Sequence, residues 1–134
     1  MKENEALLKL CKEAILAQYP NLMGIYAFGS IITEYFQENS DIDLAILPMP
    51  QEKIDRVKLW YFAQKLAIKT NRDIDLIDLS EATTSFRYEI TTTGRLIYSS
   101  NEDDCMVVES NYLVEYLQLN EDRKCILEDY KKPA

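Results

Sequence analysis

Apolar residues recur at helical spacing at the start of the chain, where Leu7, Leu10, Cys11, Ala14 and Ile15 share one face of a helix predicted over Glu3 to Gln18, ending before Pro20. Two β-prone runs follow, Leu22 to Phe28 and Asp41 to Leu47, with a short helix expected from Ser30 in the spacer between them. The ten residues from Ile31 to Ser40 are few for a parallel crossover, so these strands should be antiparallel neighbours in a mixed sheet. Pro48 and Pro50 close the second strand and open a helix from about Gln51 to Lys69. Its apolar face includes Ile54, Val57, Trp60, Tyr61, Leu66 and Ile68, and Trp60 is expected in the core, with a substrate platform as the alternative.

The stretch from Asn71 to Leu79 interleaves isoleucine and leucine with aspartate and is a third strand candidate. Ser80-Glu81 can begin a helix through Thr91, Gly94 can stop it, and Arg95 to Tyr98 reads as a short closing strand, with Arg87, Glu89 and Arg95 as surface residues. The polar, acidic segment Ser99 to Asp104 is the one boundary signal. Beyond it, Met106, Val107, Leu113, Val114, Leu117 and Ile126 include helical spacing within Cys105 to Tyr130. The alternation of elements gives an α/β (α+β) class, a small mixed sheet flanked by helices, with a domain over 1–99 and a C-terminal helical segment over 100–134 that packs back on it or contacts a partner.

Composition narrows the function classes. A chain of 134 residues is one ordinary domain with a real core. No apolar run approaches the ~18 residues that span a bilayer, and the start, Met1-Lys2-Glu3-Asn4-Glu5, leads into charged, amphipathic sequence unlike a secretory signal. A cytoplasmic location with no membrane role is expected. Cys11, Cys105 and Cys125 are widely spaced and histidine is absent, which disfavours structural zinc and histidine general-base chemistry. The net charge of −8 argues against direct binding to nucleic-acid phosphates and suits a basic protein partner.

Candidate chemistry concentrates in two places. Gly29-Ser30 ends the first strand, and Asp41-Ile42-Asp43 opens the second. Alternation along a strand points Asp41 and Asp43 to one face while Ile42 and Leu44 pack behind. Two carboxylates on one face are the minimum protein ligand set for magnesium, whose remaining positions go to substrate phosphates and water. Gly29 allows close backbone approach to a ligand, and Ser30 adds a hydroxyl at a helix start where backbone N–H groups attract phosphates. Gly-Ser alone is usually a turn and Asp-x-Asp alone a solvated strand end, but their joint occurrence at one spacing is far rarer than either. In the third strand Asp73 and Asp75 share a face and Asp78 lies on the other. Asp75, within the strand, is the candidate both to ligate metal and to accept a proton from an incoming hydroxyl.

Phe28-Gly29-Ser30, Ser40-Asp41-Ile42-Asp43-Leu44 and Asp73-Ile74-Asp75-Leu76-Ile77 resemble the three signatures of the minimal nucleotidyltransferases (MNT) of the DNA polymerase β superfamily. The resemblance covers about residues 20–98, and spacer and length look most like the antitoxins of HEPN/MNT toxin-antitoxin pairs. It implies transfer of AMP from ATP, with Mg2+, to a tyrosine of a HEPN-domain ribonuclease. Asp41, Asp43 and Asp75 would be catalytic and metal-binding, and Gly29, Ser30 and Ser40 nucleotide-binding. Many members follow Gly-Ser with arginines and a glycine; here Ile31-Ile32-Thr33-Glu34-Tyr35 stands instead, leaving Arg72 or Arg95 as substitutes for a cationic phosphate contact. Adenylylation of an aminoglycoside-like alcohol and a non-catalytic antitoxin acting by binding alone are the alternative readings.

Overall fold

The layering follows from alternation along the strands. In the computed structural model, which describes the backbone of residues 2–131 and the side chains of residues 4–128, β1 (Gly24–Phe28), β2 (Ile42–Leu47), β3 (Ile74–Asp78) and β4 (Arg95–Ser99) form one sheet in the order β3-β2-β1-β4. β1 runs antiparallel to β2 and β4, while β2 and β3 are parallel. The expected antiparallel pairing across the short spacer is therefore present. The parallel pair is joined by the crossover helix α2 (Arg56–Thr70).

Ile42, Leu44 and Ile46 face one side with Ile25, Ala27, Ile74 and Leu76, where α1 (Lys2–Gln18) and α2 bury them under Leu8, Cys11, Ile15, Leu59, Ala63 and Leu66. The opposite face carries Tyr26, Ala45 and Leu47, covered by Ile90 of α3 (Thr84–Thr93) and by Cys105 and Tyr112 of α4 (Glu102–Lys131). Burial on both faces fixes the strand register, because a slip of one residue would exchange the side chains packed under α1 and α2 with those packed under α3 and α4. Tyr26 ties the second layer together: its hydroxyl donates to Glu109 of α4 at 2.5 Å. Tyr88 and Tyr116 stack with ring centroids 3.9 Å apart, and Arg87 bonds Glu115 at 2.9 Å.

Several local expectations change. α2 starts at Arg56, not Gln51, because Asp55 accepts from Val57 N–H and Lys58 N–H and is a far better N-cap than glutamine. Its buried face is Leu59, Ala63 and Leu66; Val57, Tyr61 and Ile68 are exposed, and Trp60, expected in the core, is 58% exposed. Apolar residues occur all round this helix, so spacing alone cannot choose the buried stripe. The spacer helix is a single 3-10 turn, Gly29–Ile32, and the helix expected from Ser80 is broken into a 3-10 turn (Leu79–Glu81) and α3, which Thr83 caps. Arg87 is half-buried against Tyr112, not an ordinary surface residue. The C-terminal segment is helical to Lys131; residues 132–134 of the expected segment lie outside the described residues, as does Met1.

Candidate active site

The parallel register aligns Ile42 with Ile74 and Asp43 with Asp75. Both aspartates therefore leave adjacent strands on the same face, and both lie at the strand starts, ahead of Ala45 and Leu47, which the second layer buries. Asp41 immediately precedes β2. This placement supports Asp75 over Asp73, which precedes β3, and over Asp78, which is buried and accepts from Ser80 N–H at 3.0 Å and Ser80 Oγ at 2.6 Å.

β1 ends opposite this pair, with Phe28 registered against Asp43. Gly29 follows at φ +75°, a conformation that side chains rarely adopt, and a Cβ there would collide with Asp43 Oδ2. Glycine is thus required twice over, for the left-handed turn and for the approach of backbone to carboxylate. Ser30 lies within the 3-10 turn and its carbonyl accepts from Thr33 N–H at 2.9 Å; the N-cap position is Phe28, so Ser30 is not the cap. The Ser40 hydroxyl accepts from Gln37 N–H at 2.9 Å, shaping the chain just before Asp41.

The electrostatics are those of a site that wants a cation. Asp43 is pushed up to about 6, first by burial, then by the charges of Asp75 and Asp41. Asp43 and Asp75 are register partners and Asp43 packs on the Gly29 turn, and carboxylate oxygens are hard ligands of the kind magnesium takes. Among the described residues no group of three or more His, Cys, Asp or Glu side chains stands assembled around a metal position. The expected triad is thus present as an Asp43–Asp75 pair with Asp41 beside it, and not as a closed ligand set.

A cavity of about 560 Å³ adjoins the carboxylates, with Asp41, Asp73, Asp75, Arg56, Trp60 and Phe86 among its walls. Phe86 also packs edge-on against Phe28, with centroids 5.6 Å apart, and both rings pack against the second core. Gly29, Ser30, Asp43 and Ser40 are not among the residues lining this cavity, which lies on the Asp75 side. Arg72 packs over the Phe36 ring and donates to the Gln37 carbonyl at 2.7 Å, and Arg95 pairs with Glu5. The cation in the cavity wall is Arg56, which sequence reasoning did not single out because its only local signal was proximity to a helix start.

A mixed sheet presenting acidic side chains from neighbouring strands beside a glycine turn defines a nucleotidyltransferase. Residues 12–103 match the family described as Polymerase beta, Nucleotidyltransferase, and the chain belongs to that family. The protein adenylyltransferase MntA of Shewanella oneidensis is 33% identical to it over 130 residues, 96% of this chain and 87% of that protein. A crystal structure of a toxin-antitoxin with AMP-PNP superposes with a TM-score of 0.80 at 30% identity, covering 93% of this chain and 98% of that one. A tri-AMPylated Shewanella oneidensis HEPN toxin in complex with MNT antitoxin matches with a TM-score of 0.78 at 28% identity, covering 96% and 99%.

Because the folded state raises the Asp43 pKa above its ordinary 3.8, Asp43 contributes stability that is fully present below pH ~3.8 and lost as pH rises through about 6. Asp43→Asn should therefore be more stable than the parent in metal-free buffer above pH 6. Allowing for solvent screening of this half-buried group, the gain is about 1 kcal/mol, or ~3 °C in Tm. Urea unfolding in chelator at pH 7.5 and pH 4 should show that gap and its closure; a parent protein that is the more stable at pH 7.5 would contradict it.

Proposed function

We propose that this chain is an antitoxin that transfers AMP from ATP to a tyrosine hydroxyl of a cognate HEPN-domain ribonuclease and so silences it. The observation that carries the reading is the Asp43–Asp75 pairing across β2 and β3, flanked by Asp41 and Gly29. Likeness to the MntA adenylyltransferase along nearly the whole chain supports the choice of protein as acceptor.

The acceptor hydroxyl attacks the α-phosphorus of ATP in line, a new O–P bond forms, and the bond to the β-phosphate oxygen breaks to release pyrophosphate. Asp75, exposed beside the cavity, takes the hydroxyl proton as attack proceeds. Asp41 and Asp43, with Asp75, would hold Mg2+, which when bound neutralises the triphosphate and steadies charge on the attacking and leaving oxygens. The turn at Gly29 and Ser30 positions the β- and γ-phosphates through backbone N–H groups, and Ser40 sets the chain before Asp41 on the nucleotide side.

The catalytic unit comprises residues 1–99, and the segment 100–134 serves the partner. One side of α4 packs on the domain through Cys105, Val108 and Tyr112, whereas Met106, Val107, Val114 and Leu117 are exposed on the other. An amphipathic helix with a second, bare apolar stripe fits the toxin. No helix among the described residues is long and apolar enough to cross a membrane. A reaction that consumes ATP fits a cytoplasmic setting, which this reading assigns to it.

Intact-mass spectrometry of the cognate toxin after incubation with this chain, ATP and Mg2+ should show additions of AMP mass. The Asp41→Asn, Asp43→Asn variant should give none while staying folded. A stable complex without additions would instead identify a binding-only antitoxin, and full activity of the folded variant would remove the assigned roles. For docking, Val114→Asp with Leu117→Asp should weaken toxin binding by about 2 kcal/mol or more with little change in Tm, since both side chains are exposed. Unchanged affinity by calorimetry would exclude this face.

A further inference from the structure

The cavity next to Asp75 follows the outer edge of β3. In the order β3-β2-β1-β4 no strand among the described residues lies beyond β3, yet every residue from Asp73 to Asp78 lines the cavity. Ile42 N–H donates to the Asp73 carbonyl at 2.9 Å. Backbone groups along a parallel strand alternate in direction, so Asp73, Asp75 and Ile77 turn theirs toward β2, and Ile74 and Leu76 turn theirs outward. A strand edge with outward N–H and C=O groups is a template for another chain. Facing it across the cavity is the α2 surface of Arg56, Trp60 and Gln64, where an indole more than half exposed has no place in the protein's own core.

We propose that the acceptor enters as an extended peptide pairing with the outer edge of β3, its tyrosine opposite Asp75 and its neighbouring residues against Trp60. The inference rests on the adenylyl-transfer reading and deepens it. Side chains of an added strand alternate as those of β3 do, so the residue opposite Asp75 lies on the Asp43–Asp75 face and its two neighbours turn toward α2. To pass Asp75 into the space between it and Asp43 a hydroxyl must reach beyond one strand spacing, about 4.8 Å. A tyrosine ring is long enough to do so. A serine or threonine hydroxyl, one bond beyond Cβ, stops short, so edge pairing selects tyrosine by reach. Charge specifies the flanks: the cavity wall holds Asp41, Asp73, Asp75, Asp78 and Glu81 against one cation, Arg56. Lysine or arginine beside the tyrosine fits this field, with the charged group over the Trp60 indole.

The test uses the full chain with ATP and Mg2+ and two acceptors, the intact toxin and a short synthetic peptide carrying its modified tyrosine and flanking residues. Peptide and toxin should both be modified, and Trp60→Ala should raise KM for the peptide about tenfold while KM for ATP holds, with Trp60→Phe largely restoring it. Methyl groups on alternate peptide nitrogens should block transfer in one register and be tolerated in the other, as strand pairing alone requires. A peptide left unmodified while the toxin is modified, an unchanged peptide KM in Trp60→Ala, or equal effects of methylation in both registers would each overturn the inference. A wild-type chain that modifies neither acceptor would remove the adenylyl-transfer reading itself, and this inference with it.

Discussion

The parallel pairing of β2 with β3 forces two carboxylates, Asp43 and Asp75, to stand side by side, and the rest of the site is arranged around that repulsion. Like charges directly opposite on a sheet are unfavourable. They are held because the other face of the same residues' strands is locked: Ile42, Leu44, Ile74 and Leu76 are buried beneath α1 and α2, and any shift that separated the aspartates would unseat them. Gly29 brings the end of β1 onto Asp43 from a third side, so the carboxylate loses water as well as distance from its neighbours. The pKa near 6 is the combined result. Hydrophobic burial on one face thus maintains an electrostatically strained face on the other, the arrangement that a divalent cation and a triphosphate would relieve.

The second layer has a different task. β1, α3 and the first turns of α4 are joined by contacts that mix packing with charge: Tyr26 to Glu109, Arg87 to Glu115 and over Tyr112, and Tyr88 on Tyr116. These tie a long helix to a small domain along one stripe and leave its opposite stripe free of the fold. The two surfaces proposed to meet the partner diverge accordingly, the edge of β3 lying beside the carboxylates and the bare side of α4 facing away from the fold.

Much of this was legible in the residues because a period of two is hard to mistake. Side chains along Ile-Asp-Leu-Ala-Ile-Leu and Ile-Asp-Leu-Ile-Asp alternate between faces, which separated Asp43 from Ile42 and Leu44, and Asp75 from Ile74 and Leu76, before any contact was known, and the short spacer fixed β1 antiparallel to β2; the parallel register that sets Asp43 beside Asp75 came from the structure. What stayed hidden depended on contacts distant in sequence. α2 carries apolar residues on every side, so nothing local told Leu59, Ala63 and Leu66 from Val57, Trp60 and Tyr61; the sheet makes that choice. Arg72 and Arg95 looked available until the loop carbonyl at Gln37 and the carboxylate of Glu5 were seen to hold them, while Arg56 reached the cavity only because Asp55 starts the helix there.

The central claim is that register and burial hold Asp43 in a field that calls for a cation. Site-resolved carbon NMR of the Asp43 carboxyl through a pH titration, without and with Mg2+, tests it most directly. The account predicts a midpoint near pH 6 in metal-free solution that falls into the ordinary carboxylate range when Mg2+ is added. An ordinary midpoint without metal, or a raised one that Mg2+ leaves untouched, would contradict it.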